Sequence, residues 1–200
     1  MAFDSAGNLY AANAGGFFDV DKFTPGGSQS VFASTGSDFP FGLAFDSAGN
    51  LYVGESLNNK IEKFSSTGTD LGVFASTGLN RPLGIAFDTA GNLYAANKFA
   101  NTIEKFSPTG TDLGAFASTG LNAPVGIAFD SVGNLFVANS GNSTIEEFSS
   151  SGTDLGVFAD SSDGLSVPTF IAFVPEPTSA ALLLGSGAML MLRRRRASAL

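Results

Sequence analysis

Ala44-Phe45-Asp46-Ser47-Ala48-Gly49-Asn50-Leu51-Tyr52-Val53 is the stretch that decides the fold, because the chain repeats it with little change. Ala86-Phe87-Asp88-Thr89-Ala90-Gly91-Asn92-Leu93-Tyr94-Ala95 and Ala128-Phe129-Asp130-Ser131-Val132-Gly133-Asn134-Leu135-Phe136-Val137 follow, and Ala2-Phe3-Asp4 opens an earlier copy. These openings recur at a spacing of about 42 residues, and Ala172-Phe173 follows at about 44. Self-similarity at this period marks stacked supersecondary units, none of which buries its apolar faces alone.

Outward from that stretch, each unit adds Ile-Glu-Lys-Phe at 61 and 103 or Ile-Glu-Glu-Phe at 145, then Thr-Asp-Leu-Gly-x-Phe-Ala at 69, 111 and 153. In the second unit the apolar runs are Gly42 to Phe45, Leu51 to Val53, Ile61 to Phe64 and Leu71 to Ala75. Gly49-Asn50 supplies the positive φ of a tight hairpin, and residues 65–70 (Ser-Ser-Thr-Gly-Thr-Asp) form a second turn cluster. Four short runs bounded by turns predict a four-stranded antiparallel blade, and so an all-β β-propeller of four visible repeats. The units lie near 1–42, 43–84, 85–126 and 127–173. A β-solenoid coil is usually about half this length, and a β-sandwich does not require near-identical repeats. Ile61 and Phe64 stand three apart, which strict alternation places on opposite faces, so a bulge or burial on both faces is expected.

Composition agrees. Twenty Phe, no Trp, 25 Gly and only 14% charged residues suit short strands and turns better than amphipathic helices. Residues 1–173 carry 17 acidic against six basic residues, a surface that repels phosphate backbones and excludes nucleic acid as an expected partner. Cysteine is absent, which removes disulfides and thiolate metal sites. Histidine is absent too, which removes Ser-His-Asp and Cys-His nucleophile activation and every His-ligated metal.

Pro-x-Gly-Ile-Ala-Phe-Asp-x-x-Gly-Asn-Leu-Tyr-Val-Ala-Asn followed by Asn-x-x-Ile resembles the NHL family of propeller repeats and the related lyase and lactonase propellers. The resemblance spans residues 1 to about 173 and implies a ring that usually has six blades, of which four are visible here. It implies no streptogramin-lyase chemistry, because those relatives use a histidine. Phe170 to Phe173 is expected to act as an extra first strand that closes the ring with the N-terminal unit.

After Phe173 the composition changes to Val174, Pro175, Glu176 and Pro177, an apolar stretch over 178–192, and then Arg193, Arg194, Arg195 and Arg196. The prolines bar helix and ladder pairing and leave the tetrapeptide extended and accessible. The apolar stretch lacks charge and favours helix. At about 1.5 Å per residue it reaches about 22 Å, short of a hydrocarbon core of about 30 Å, so spanning needs bilayer thinning or snorkelling. The arginines favour the cytoplasmic side, which predicts the propeller outside. Motif, apolar segment and terminal Arg run together resemble the PEP-CTERM sorting domain of bacterial envelope proteins over 174 to about 196. That resemblance implies an exosortase-type partner that recognises Pro175-Glu176-Pro177, and an association with exopolysaccharide or biofilm matrix. Exported proteins carry an N-terminal signal. Met1-Ala2-Phe3-Asp4-Ser5 has neither a basic nor an apolar region, so the true start is expected upstream.

For chemistry, Asn13, Glu55, Asn97 and Asn139 stand at one repeat position after the second strand. As a ring of oxygen donors they could hold Ca²⁺, loosely like the metal centre of lactonase propellers; as turn caps they need no metal, and a lone carboxylate complements a divalent ion poorly. Asp4, Asp46, Asp88 and Asp130 recur in every unit, which points to a hairpin role. Asn142-Ser143-Thr144 matches a glycosylation sequon of chance frequency. The expectation is therefore a non-catalytic, envelope-associated binding or structural module for a glycan or protein, without a cofactor. The alternatives are a metal-dependent propeller hydrolase or lactonase, and a non-functional fragment.

Overall fold

The computed structural model describes residues 1–36 and 39–173. The sorting motif, the 178–192 segment and the arginine run of the sequence reading lie outside the described residues.

Among the described residues, sixteen strands form four antiparallel four-stranded sheets, each a simple meander. Blade 1 contains β1 (Ala2–Phe3), β2 (Leu9–Asn13), β3 (Asp19–Phe23) and β4 (Gln29–Ser34). Blade 2 contains β5 (Pro40–Phe45), β6 (Leu51–Glu55), β7 (Lys60–Phe64) and β8 (Asp70–Ala75). Blade 3 contains β9 (Pro82–Phe87), β10 (Leu93–Asn97), β11 (Thr102–Phe106) and β12 (Asp112–Ala117). Blade 4 contains β13 (Pro124–Phe129), β14 (Leu135–Asn139), β15 (Thr144–Phe148) and β16 (Asp154–Ala159), and a 3₁₀ turn follows at Ser161–Asp163. The chain is a β-propeller of four blades built on the four repeats.

The first hairpin of each blade is held by its aspartate. Asp46 accepts hydrogen bonds from the backbone N–H of Ala48 and of Asn50, both at 2.9 Å, and from the Asn50 side chain at 2.8 Å. Asp88 repeats the pattern with Ala90 and Asn92, and the Tyr94 hydroxyl donates to it at 3.2 Å. Burial opposes ionisation of Asp88, but these donors outweigh it and hold its carboxyl below the usual range. The recurrent aspartates thus lock the turn that lets β9 and β10 pair in register, Phe87 opposite Leu93.

The Ile-Glu-Lys-Phe conflict resolves as burial on both faces, with a register shift between Ile61 and Glu62 where β7 pairs with β8. Ile61 joins the cluster that meets Ile85, Leu93 and Phe106 of blade 3, whereas Phe64 joins the one that meets Tyr10 and Val20 of blade 1. Each inner blade is therefore apolar on both sides, as stacking requires. Three clusters result, joining blades 1 and 2, 2 and 3, and 3 and 4. At each seam a ring from the earlier blade sits edge-on between two phenylalanines: Tyr10 with Phe32 and Phe45, Tyr52 with Phe74 and Phe87, Tyr94 with Phe116 and Phe129.

Around the axis the inner strands approach backbone to backbone. A Cβ on Gly42 would collide with the Leu83 carbonyl and one on Gly84 with the Val125 carbonyl, so the repeat needs glycine there for space. Gly126 meets Thr169 and Phe170 in the same way. Phe173 packs edge-on against Phe136 at 5.0 Å, as Phe129 does against Tyr94. Residues 167–173 therefore occupy the inner-strand position next after blade 4. Blade 1 keeps its own inner strand, β1, paired Phe3 to Leu9. This departs from the expectation that Phe170 to Phe173 joins the N-terminal unit and closes the ring.

Candidate functional site

Two ends of the propeller differ in chemistry. At one end lie the turns between the first and second strands and between the third and fourth strands of each blade. They consist mostly of Asp, Ser, Thr, Gly and Asn, with Ala6, Ala48, Ala90, Pro25 and Pro108 among them and Val132 as an exposed large apolar side chain. At the other end lie the loops joining the second strand to the third, and the connections between blades. Backbone bonds tie these two loop sets together: Thr35 N–H donates to the Phe18 carbonyl, Ser56 N–H to Phe39 and Lys98 N–H to Arg81.

This second end collects aromatic and cationic side chains. Phe17 is 77% exposed, Phe99 60% and Leu57 56%. Phe18 and Phe39 pack ring to ring at 5.6 Å, and the Arg81 guanidinium stacks over Phe99 at 4.6 Å. Phe18, Phe39 and Arg81 each hold positive φ, which turns these loops sharply and presents their side chains at the rim. The loops are also where otherwise near-identical repeats diverge: Ala-Gly-Gly-Phe at 14, Ser-Leu-Asn-Asn at 56, Lys-Phe-Ala-Asn at 98 and Ser-Gly-Asn-Ser at 140. Sequence reading missed this surface, yet that divergence was its signal.

Asn13, Glu55, Asn97 and Asn139 stand at the last position of β2, β6, β10 and β14. Asn97 is fully buried; its Nδ2 donates to the Gly78 carbonyl at 2.8 Å and to Thr102 Oγ1 at 3.1 Å, and its Oδ1 accepts from Asn80 N–H at 3.0 Å. Asn139 makes the corresponding bonds to Gly120, Thr144 and Asn122. Asn13 is half-buried and accepts from Gly15 N–H at 3.2 Å. Glu55, fully buried, pairs with Lys60 Nζ at 3.1 Å. Asn97 and Asn139 thus spend their side chains on the blade-to-blade connection. Among the described residues, no three of Asp and Glu gather closely enough to hold a metal ion.

Two carboxyl pairs were not foreseen. Burial first, and the Asp112 carboxylate second, push Glu104 up to about 7, and Glu146 rises likewise to about 7 through burial and Asp154. Each pair lies beside the connection from the preceding blade, at Gly78 and Gly120. Along the axis, a pocket of about 80 Å³ is lined by apolar and glycine residues including Met1, Phe41, Leu83 and Phe170. It is far smaller than the roughly 300 Å³ at which small-molecule sites begin. A cleft of about 220 Å³ between blades 3 and 4, near Asp88, Asp130 and Val132, opens at the polar end.

With this geometry in place, similarity to solved structures is extensive. A chain of the nidogen/laminin complex matches with a TM-score of 0.71 at 25% identity, covering 82% of this chain and 64% of that one. A catalytically inactive virginiamycin B lyase from Staphylococcus aureus with quinupristin matches at 0.68 and 18% identity, covering 84% and 57%. A streptogramin B lyase matches at 0.66 and 19%, covering 79% and 54%. The chain thus spans between about half and two thirds of the length of these structures. No family model and no curated protein matches the sequence. What the chain shares with these proteins is the β-propeller fold.

Proposed function

We propose that this chain is a non-catalytic binding or structural module of the bacterial envelope, of NHL-type repeats, which engages a glycan or protein through its aromatic end. The observation that carries this reading is the collection of Phe17, Phe39, Leu57, Phe99 and Arg81 at one end, in the loops where the repeats diverge. Rigid blades that hold variable loops are a common basis for recognition. Flat aromatic rings beside amides and a cation suit the alternating apolar and hydroxyl faces of a saccharide, or a protein surface. The small axial pocket and the absence of histidine favour contact over bond making. The tail supports export: Val174, Pro175, Glu176 and Pro177 are offered to an exosortase-type membrane enzyme, residues 178–192 enter the membrane, and Arg193–Arg196 stay on the cytoplasmic side. The propeller then faces outside, or is released into the matrix after cleavage.

Titration calorimetry of the purified chain with soluble biofilm exopolysaccharide tests the contact surface. Saturable binding should fall at least about tenfold in a Phe17→Ala, Phe99→Ala double variant, the loss of about 1.4 kcal/mol or more. Binding that ignores both substitutions removes the aromatic end from the proposal. Hydrolysis of lactones by metal-loaded protein, lost on Glu55→Ala, replaces the proposal with the hydrolase reading. For the tail, intact mass of protein recovered from an exosortase-bearing host should lack the residues after Pro177, and Glu176→Ala should leave the 20.4 kDa chain whole.

A further inference from the structure

Blade 3, which has a neighbour on each side, presents two cations that its sister repeats lack. Arg81 (φ 54°), Phe39 (52°), Ala123 (48°) and Val167 (48°) hold the same left-handed backbone, each just before a proline. The turn is therefore common to the repeats, and the arginine is not. Lys98 stands where the other units have Ala14, Ser56 and Ser140, and its N–H donates to the Arg81 carbonyl at 3.2 Å. Beside it Phe99, more than half exposed, takes the place of Gly15, Leu57 and Gly141. A guanidinium, an ammonium and an open ring thus meet on one blade.

Residues 1–173 hold 17 acidic and six basic residues, so a cation in this chain should readily find a carboxylate. Lys60 lies 3.1 Å from Glu55 and 2.7 Å from Glu62, and Lys63 lies 3.8 Å from Asp46. Among the described residues, neither Arg81 nor Lys98 has an acidic partner within ion-pair reach, and the buried Nε of Arg81 has no hydrogen-bond acceptor. Of the described carboxylates at this end, Glu55 is buried and pairs with Lys60, Asp19 belongs to blade 1, and Asp160 and Asp163 close their own 3₁₀ turn beyond blade 4. Asn59 turns its Oδ1 to the Arg81 N–H at 2.6 Å, which leaves its Nδ2 as a donor. The groups gathered here are donors without acceptors. Two like charges on hydrogen-bonded neighbours repel, and an anion seated between them relieves that repulsion.

We infer that this spot binds the carboxylate of a uronic acid residue in an acidic polysaccharide, with Arg81 and Lys98 on the carboxylate and Phe99 under the pyranose ring. The inference names the ligand class of the aromatic end and rests on the reading of that end as a saccharide-contact surface. A planar guanidinium meets a carboxylate through two parallel hydrogen bonds, and Lys98 adds a point charge. The guanidinium lies 4.6 Å from the centre of the Phe99 ring, so fork and platform are within reach of a single sugar residue. A uronate carries its carboxylate directly on a pyranose carbon, and its C–H face is apolar. An aspartate or glutamate side chain offers the carboxylate without such a face, which favours a saccharide over an acidic protein. A neutral sugar would cover Phe99 but leave Arg81 and Lys98 without a counter-charge, so charge decides between ligands here.

Titration calorimetry of the full chain with oligogalacturonate, with its methyl ester and with polyglutamate tests this. The acid should bind saturably, and the ester, equal in sugar but uncharged, at least about tenfold more weakly. Arg81→Gln and Lys98→Gln should each weaken binding of the acid at least about threefold and flatten its salt dependence, with unchanged circular dichroism. The comparison of acid with ester needs no variant, so a misfolded substitution cannot imitate it. Equal binding of acid and ester overturns the inference and leaves saccharide contact at the aromatic end standing. Absence of binding by either saccharide overturns both. Polyglutamate binding as tightly as the acid overturns the inference in favour of an acidic protein partner, and a preference for the acid that survives both substitutions removes Arg81 and Lys98 from it.

Discussion

The glycines of this chain differ in what their places demand, and substitution separates them. Gly84 lies where the inner strands of blades 3 and 4 pass closest, with the Val125 carbonyl in the place a methyl group would take. Gly84→Ala should cost about 1–3 kcal/mol by overpacking, seen as a lower urea midpoint with an unchanged m-value. Gly26→Ala has only the Thr24 hydroxyl near, at 3.8 Å, and should stay within about 0.5 kcal/mol. Asn97 is the polar counterpart. Asn97→Ala would leave the Gly78 carbonyl and the Asn80 N–H without their present partner at a buried junction, at a cost of about 1–3 kcal/mol. The candidate ring position was legible in the sequence, because four residues recur there. Its use was not, since the partners lie 17 and 19 residues away across a connection.

Between elements, the third and fourth strands of blades 3 and 4 carry a pH response. Burial first, and then the neighbouring Asp112 and Asp154 carboxylates, hold Glu104 and Glu146 near 7, above the ordinary 4.5. The folded chain therefore binds more protons than the unfolded one between about pH 4.5 and 7, and stability falls as pH rises through that window. Asp46 and Asp88 act oppositely: their carboxyls are held below the usual range, so their contribution is present above the ordinary carboxylate pKa and is lost in stronger acid. Urea midpoints should accordingly be higher near pH 5 than near pH 8, and a Glu104→Gln, Glu146→Gln double variant should flatten that slope. An unchanged slope would show that the pairs do not titrate in this range. In blade 2 the residue at the position of Glu104 and Glu146 is Glu62, which pairs with Lys60 Nζ at 2.7 Å.

Across the whole molecule, stability should follow the stacking. Blades 2 and 3 are covered on both faces, whereas blade 1 has Leu9, Ala11 and Phe23 half-exposed. In a nearest-neighbour array the end unit lacks one interface term and opens first. Hydrogen exchange should therefore find β2 and β3 exchanging before β6, β7, β10 and β11. Uniform protection across all four blades in the single chain would mean that blade 1 is already covered.

The amino-acid sequence by itself determined the blade: Asp and Gly-Asn at fixed offsets dictate the first hairpin, and apolar residues three apart demand a bulge or a sheet buried on both sides. It also supplied the count of visible units, because each unit is a local object whose strands pair with their sequence neighbours. Only the tertiary structure decided where residues 167–173 go, since Ala-Phe suits β2 and blade 4 equally and the choice depends on which neighbour is within reach. Only it gathered Phe17, Phe39 and Phe99 at one end, because loops from different repeats converge through blade stacking, a relation between residues far apart in sequence.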